Sequence, residues 1–326
     1  MGLTRTLGGF GFHPNAWLTG QQDAFLRRIL RDKQVKWQAS FSRVLRAVLI
    51  GSLMATGLAI AGDALGERFP LRIGLTPVFL DDQPRILQAW RDHLERRLGR
   101  AVNFVQRGSY REISDLLLRG DLEAAWLCGL PYVELQSKLT LVAVPVYQGA
   151  PLYRSFLIVP RDDTSTQSWE DLRAGVFAFS DPDSNSGFLY PSYAMRKAGI
   201  APERYFRKTF FARGHRNVVE AVAVGLADAG AVDGYVWDTL KRAHPELTAD
   251  TRVVLRSETF GFPPIVARQD LPDSEALGLR RVLLEMAGDP EGRHVLELLN
   301  LDGFVEAKPA LYDRIAEMSG LVGRLR

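Results

Sequence analysis

The sequence has few of the residues that build disulfide networks or metal sites. Cys128 is the single cysteine among 326 residues, which excludes an intrachain disulfide. Because it follows an apolar stretch at 124–127, we expect a buried, structural thiol. The five histidines (His13, His93, His215, His244 and His294) show neither H-x-x-x-H spacing nor a cysteine partner, so no metal site and no cofactor are predicted.

Two catalytic signatures are also missing. The chain has no G-x-x-x-x-G-K-[ST] loop, which excludes an ATPase of the P-loop class. It has no G-x-S-x-G segment, which argues against an α/β-hydrolase nucleophile. We therefore expect a protein that binds rather than one that catalyses.

Long apolar runs are also missing. The longest, at 47–61, has 15 residues, against the ~20 that span a bilayer. Arg43 and Arg46 precede it, and the small residues Ala59 and Ala61 resemble a cleavage site. We predict that 1–61 is an N-terminal extension plus a secretory signal, and hence a periplasmic location; the alternative is an uncleaved membrane anchor facing the periplasm.

The positive charge is unevenly distributed. The net charge is +3 for the whole chain, but eight basic and only two acidic residues lie within 1–61. Residues 62–326 therefore carry a formal −3, and the basic pI gives no reason to expect a nucleic-acid partner.

Strands and helices alternate after residue 70, which predicts parallel α/β sheets. Leu87, Trp90 and Leu94 form one apolar face of a helix at 84–98, and Gly99 ends it. The other predicted helices are at 110–118, 188–198, 217–224, 237–243, 274–287, 291–299 and 309–318. The predicted strands are at 71–75, 102–106, 122–128, 139–147, 153–160, 175–180, 207–212, 227–232, 252–256 and 265–268.

Two rounds of alternation joined by extended segments indicate two lobes. We place the crossings near 156–160 and 255–260, so that lobe one comprises 70–157 and 258–326 and lobe two comprises 158–257. An inserted lobe with two connections forms a hinged cleft, which a ligand can hold shut.

The segment 184–187 reads Ser-Asn-Ser-Gly between a predicted strand and a predicted helix. Ser184, Asn185 and Ser186 contribute side-chain donors, and backbone N–H groups at a helix start lack helical partners. Such a junction can bind a tetrahedral anion. The alternative is an ordinary N-cap, because serine and asparagine are common capping residues.

From about Leu71 to Met318 the chain resembles the periplasmic phosphate, phosphite and phosphonate-binding proteins of ABC importers. The segments that carry the resemblance are 74–77, Tyr110 with 119–121, 124–132, 153–155, 180–187, 214–215 and 228–233. The resemblance implies a two-lobed periplasmic-binding-protein fold of type II with a hinged cleft between the lobes.

The resemblance also implies a set of ligand-binding residues. The loop residues Ser184, Asn185 and Ser186 are expected to bind the oxyanion, Tyr110 and Tyr153 to donate from lobe one, and His215 to close from lobe two. Two further candidates are Thr76 and Asp233, although Asp233 could instead cap the helix that follows it.

The chain departs from the family pattern at two places. Asn185 stands where threonine is usual, and its amide adds an acceptor that suits a protonated oxygen or a different ligand orientation. Aminophosphonate binders place acidic residues against the ligand ammonium, but the corresponding positions here are Tyr235 and Phe262 or Pro263. We therefore expect weak binding of aminoethylphosphonate.

The sequence thus predicts the solute-binding component of an ABC importer, a monomer that passes a small oxyanion to a membrane permease. One alternative is a sensor subunit for a membrane kinase or chemoreceptor. A remote alternative is an enzyme, for which His215 near Ser184 or Ser186 is the only conceivable catalytic pair.

Overall fold

The computed structural model of the protein describes residues 69–77 and 84–323. The predicted extension and signal at 1–61 lie outside the described residues. Both sheets of the described part belong to a single compact unit, Leu65–Arg326. Among the described residues, no helix has the length and hydropathy needed to cross a bilayer.

The first sheet has six strands in the order β11-β4-β10-β3-β1-β2. Strand β1 pairs in parallel with β2 and β3, whereas β10 runs antiparallel to both β3 and β4. The strands are β1 (Leu71–Leu75), β2 (Val102–Gln106), β3 (Ala124–Trp126), β4 (Leu139–Val146), β10 (Ile265–Arg268) and β11 (Gly303–Val305).

The second sheet has five strands in the order β7-β6-β8-β5-β9. Strand β6 is parallel to β7 and β8, and β5 is antiparallel to β8 and β9. The strands are β5 (Leu152–Pro160), β6 (Val176–Phe179), β7 (Lys208–Phe211), β8 (Ala229–Asp233) and β9 (Thr251–Gly261).

Eleven α-helices flank the sheets within the described residues. They are α1 (Pro84–Leu98), α2 (Tyr110–Leu118), α3 (Gly129–Leu135), α4 (Tyr190–Lys197), α5 (Pro202–Tyr205), α6 (His215–Ala223), α7 (Gly234–Ala243), α8 (Pro245–Ala249), α9 (Asp273–Glu285), α10 (Pro290–Leu299) and α11 (Asp313–Gly323). Helix α9 packs on β4 and β11 of the first sheet and α10 packs on α1, whereas α11 contacts both α3 and α4. The C-terminal helices therefore return to the first lobe, as predicted, but the last of them also reaches the second.

Both sheets are mixed, so the expectation of parallel sheets is wrong. The parallel core of each sheet is present, but a strand that enters from the other lobe runs in the opposite direction. Strand β10, which follows the return from the second sheet, is inserted between β3 and β4 and is antiparallel to both.

The chain changes sheets at two short segments, between β4 and β5 and between β9 and β10. Strands β5 and β9 belong to the second sheet along their whole length. Our predicted crossings at 156–160 and 255–260 lie inside these strands. If the lobes follow the sheets, we propose that the boundaries fall at 147–151 and 262–264 instead.

Aromatic residues fill the core of the first lobe. Trp90 of α1 and Trp126 of β3 meet edge to face, with ring centroids 5.5 Å apart. The indole of Trp126 donates to the backbone oxygen of Pro263 at 2.9 Å, which anchors the chain where it re-enters the first sheet. The carboxyl ends of β1 and β3 are thereby held at one edge, facing the second lobe.

Candidate functional site

A wide helical turn, Asn185–Leu189, joins β6 to α4. Its hydrogen bonds run from residue i to i+5, with the N–H of Leu189 donating to Ser184 O at 2.9 Å. Pro191 has no N–H, so it cannot donate to Gly187 O in the α-helical manner. That oxygen instead accepts from the N–H of Ser180 at 3.2 Å, which folds the loop back on β6. Turns of this kind are frequent at functional sites.

Gly187 allows the turn to approach its neighbours closely. A Cβ atom there would overlap Ser180 Oγ, and would lie 2.6 Å from Ser180 Cβ and 3.1 Å from His215 Cε1. A side chain at this position would therefore separate the loop from both β6 and α6.

The three polar side chains of the loop are fully buried but have different partners. Ser184 Oγ accepts the N–H of Gly187 at 3.0 Å, so the capping alternative is correct for Ser184. Asn185 Nδ2 donates to Tyr153 Oη at 2.9 Å. Ser186 Oγ lies near the Tyr153 hydroxyl but forms no hydrogen bond of normal geometry. Capping thus accounts for one of the three side chains.

Tyr110 and His215 meet across the two lobes. Tyr110 is the first residue of α2 and His215 the first residue of α6, and Tyr110 Oη lies 3.2 Å from His215 Nε2. His215 Nδ1 accepts the N–H of Asp233 at 3.0 Å. Burial lowers the pKa of His215 to about 3, so the ring is neutral and its proton is on Nε2. Since Nε2–H donates to Tyr110, the phenolic hydrogen of Tyr110 remains available to a third group.

Tyr153 reaches the loop from β5. We expected Tyr153 on lobe one, but β5 is a strand of the second sheet. Burial raises the pKa of both Tyr110 and Tyr153 well above the ordinary value, so both phenols keep their protons.

Asp233 and Thr76 each have a structural contact. Asp233 caps α7 by accepting the N–H of Tyr235 at 2.8 Å, and burial raises its pKa to about 8. Thr76 Oγ1 donates to Trp126 O at 3.0 Å, which uses its hydroxyl hydrogen. A ligand contact by either residue stays a prediction.

Sequence reasoning missed two groups that contact or line the loop. Ser180 Oγ is buried and has no partner. Cys128 Sγ accepts the N–H of Asn185 at 3.3 Å, and burial raises the thiol pKa to about 11. Cys128 is buried as expected, but it contacts the loop at Asn185. The 57 residues that separate it from Asn185 leave no local signal of this contact.

One ion pair flanks the site. Arg111, which follows Tyr110 on α2, bonds Asp183 of the second lobe at 2.9 Å. The backbone N–H of Tyr110 donates to Asp181 Oδ2 at 3.3 Å. The start of α2 is therefore joined to the 181–183 segment beside the loop.

Three buried side-chain atoms of the site have no hydrogen-bond partner within the described part of the chain: Ser180 Oγ, Asn185 Oδ1 and Ser186 Oγ. With the phenol of Tyr110, they form a patch of neutral donors and one acceptor at the meeting point of the lobes. No lysine or arginine among the described residues hydrogen-bonds to these side chains or to His215. The site can therefore hold a compact anion by hydrogen bonds alone.

A possible metal-ligand group lies elsewhere. His93, Asp289 and Glu291 have ligand atoms within 4.8 Å of one another. Asp289 already caps α10 through the N–H of Gly292 at 2.8 Å, and Glu291 pairs with Arg96. Both carboxylates therefore have protein partners, and this group shares no residue with the Ser184–Gly187 loop.

Two sheets joined by two short crossings, with polar groups of both lobes converging at their interface, define a two-lobed binding protein of type II. The family described as "ABC transporter, phosphonate, periplasmic substrate-binding protein" matches residues 73–312, and the chain belongs to this family. The sequence-based resemblance and the fold class are thus confirmed. The protein is the solute-binding component of an ABC importer, a periplasmic class.

Known proteins agree with this assignment. The chain is 26 % identical over 269 residues to the phosphonates-binding periplasmic protein of Escherichia coli K12, covering 78 % of this chain and 79 % of that protein. It is similar in fold to PhnD1 of Prochlorococcus marinus MIT 9301, solved in complex with methylphosphonate (TM-score 0.71, 21 % identity, 78 % of this chain and 98 % of that one). A phosphonate-transporter binding protein from Pseudomonas aeruginosa has a TM-score of 0.72 at 23 % identity, covering 77 % and 85 % of the two chains.

Proposed function

We propose that the protein captures phosphate, phosphite or a small alkylphosphonate between its lobes and delivers it, as a monomer, to the permease of an ABC importer. The observation that carries the proposal is the set of buried, unpartnered polar atoms at Ser180, Asn185 and Ser186. Buried polar groups without partners are costly, so a ligand that pairs them stabilises the closed lobes.

Capture in this proposal is a reversible closure. The hydroxyls of Ser180, Ser186 and Tyr110 replace the hydration of the anion, and the contact between Tyr110 and His215 joins the lobes. The closed form is what the permease binds. No covalent step is proposed, because His215 faces Tyr110 and the Asp233 backbone rather than Ser184 or Ser186.

An aromatic cluster beside Tyr153 supports a small ligand. Tyr235 and Phe262 are buried with ring centroids 5.0 Å apart, and Phe262 lies 5.8 Å from the ring of Tyr153. These are the positions where the family resemblance would put carboxylates in an aminophosphonate binder. In this proposal the rings of Tyr153, Tyr235 and Phe262 contact a hydrogen, hydroxyl or methyl substituent on phosphorus.

Aminoethylphosphonate should bind at least about 100-fold more weakly than methylphosphonate, because Tyr235 and Phe262 offer its buried ammonium no carboxylate. The neighbouring Asp233 already caps α7 and keeps its proton up to about pH 8. Calorimetry on both ligands measures this difference. Ethylphosphonate is the matched control, since it has the same chain length without the charge. Submicromolar binding of aminoethylphosphonate would contradict the prediction.

Ser186→Ala should weaken oxyanion binding by roughly 10- to 100-fold, the effect of one hydrogen bond to a charged group. A thermal-shift panel of phosphate, phosphite, methylphosphonate, sulfate and selenate tests this, because a ligand at ~100 times its Kd adds about 2.7 kcal/mol of stability. Since Ser186 Oγ has no protein partner, the ligand-free variant should be at least as stable as the wild type.

Ser274→Ala, at an exposed position in the first turn of α9, is the matched control and should keep the full response. If ligand-free Ser186→Ala is strongly destabilised, its hydroxyl is structural. If the wild type responds to none of the five anions, the proposed function is refuted.

A further inference from the structure

Asn185 divides its hydrogen-bonding groups between the protein and the site. Its Nδ2 donates to Tyr153 Oη at 2.9 Å, and its backbone N–H donates to Cys128 Sγ at 3.3 Å. Its Oδ1 has no partner, although the residue is fully buried. A carbonyl oxygen of this kind can only accept. Left unpaired in the interior, this oxygen destabilises the closed site.

The protein supplies no hydrogen to this oxygen. Ser180 and Ser186 are the neighbouring groups with unused hydroxyls, and neither forms a bond with Asn185 Oδ1. Both hydroxyls are donors that suit the oxygen atoms of an anion. A ligand that satisfies the whole patch must therefore accept several hydrogen bonds and donate one.

We propose that Asn185 selects oxyanions that carry a hydroxyl, so that the site takes singly protonated phosphorus oxyanions in preference to fully deprotonated tetrahedral anions such as sulfate. The proposal rests on the proposed function and specifies its ligand. Asn185 Oδ1 accepts from the P–OH group, while Ser180, Ser186 and Tyr110 donate to the remaining oxygens. Asn185 is thus a specificity-determining residue of this chain, at a position where the family resemblance leads one to expect threonine.

The groups described around the site also offer no unpaired cation to a second negative charge on the ligand. The titratable groups facing the Asn185 loop from the elements packed on it are Tyr110 of α2, Cys128 before α3, Tyr153 of β5, Asp181 after β6, His215 of α6 and Asp233 at the end of β8. None of these six is a cation at neutral pH, and Asp233 keeps its proton up to about pH 8. The cation that flanks the loop, Arg111 of α2, is paired with Asp183. A dianion would lose its hydration without gaining a positive partner.

Calorimetry from about pH 5.5 to 9 tests the proposal with phosphate, phosphite and methylphosphonate. Above the second pKa of phosphite or methylphosphonate, the affinity should fall tenfold per pH unit, because the dianion has no P–OH left to donate to Asn185. Phosphate should show a smaller fall, because its dianion keeps one hydroxyl. The break should shift from ligand to ligand with that pKa, which a titrating group of the protein cannot produce. Sulfate should bind at least about 100-fold more weakly than methylphosphonate at pH 6.

Asn185→Thr provides an independent test, because its hydroxyl can donate as well as accept. The variant should bind methylphosphonate, lose most of the pH dependence and raise the relative affinity for sulfate at least tenfold. If wild-type affinity shows no break at the pKa of the ligand, or sulfate binds as tightly as methylphosphonate, the proposal is overturned while the proposed function stands. If no oxyanion binds at any pH, the proposed function itself fails.

Discussion

Gly187→Ala should reduce oxyanion binding by at least about 100-fold and lower the free energy of unfolding by about 1–3 kcal/mol, the usual effect of overpacking. The added methyl would overlap Ser180 Oγ and press on His215, so the loop must move away from β6 and α6. That movement displaces Ser186 and breaks the hydrogen bond between Tyr110 Oη and His215 Nε2. Calorimetry with methylphosphonate and chemical denaturation measure the two effects.

Gly278→Ala is the matched control. Gly278 lies within α9, and a Cβ there would meet no atom within 4 Å. Alanine should raise stability by about 0.5–1 kcal/mol, because glycine is a poor helix former, and should leave binding unchanged. Wild-type affinity in Gly187→Ala would show that the close approach of the loop to Ser180 is not needed for binding.

Stability should fall as pH rises from 6.5 to 8, and Asp233 should cause about 2 kcal/mol of that loss. Burial raises the pKa of Asp233 from its ordinary value of 3.8 to about 8 in the folded protein. Between these values the folded state binds more protons than the unfolded state, so raising the pH favours unfolding. The lowered pKa of His215 makes stability rise with pH instead, but only below the ordinary histidine pKa of 6.5.

Asp233→Asn isolates this effect. Asparagine keeps an oxygen to cap the N–H of Tyr235 but does not ionise. Denaturant midpoints from pH 6.5 to 8, measured in a phosphate-free buffer, should fall more steeply in the wild type than in the variant. Parallel curves for the two proteins would mean that the Asp233 carboxyl does not carry a raised pKa.

The first half of the first lobe is predictable from local sequence. The predicted bounds of β1, α1, β2 and α2 are those observed, because strong apolar periodicity ends at Gly99 and Gly120. Helix α3, Gly129–Leu135, was not predicted, since seven residues with Pro131 in the first turn show too little periodicity.

Strand direction and the ends of the long strands could not be predicted from the same signals. Local pattern identifies β10 as a strand, but its antiparallel pairing with β3 and β4 depends on where the chain returns from the second sheet. Strand β9 runs to Gly261 along β5, beyond the predicted crossing, because long-range pairing rather than propensity sets its end.

In the candidate site, too, some residues could be predicted from local sequence and others could not. Residue types alone predicted the loop with Ser184, Asn185 and Ser186, because donors at a helix start have a direct physical meaning. The roles of Ser180 and Cys128 follow from how the folded chain packs around the loop, and no local spacing indicates them.

The uncharged lining of the site should make ligand affinity insensitive to the salt concentration of the medium. Dissolved salt screens attraction between ions but acts little on short hydrogen bonds inside a closed interior. Affinity should therefore change little between dilute and brackish media. Release requires only that the lobes separate and water return to the oxygens, because no ionic contact holds the cargo in place.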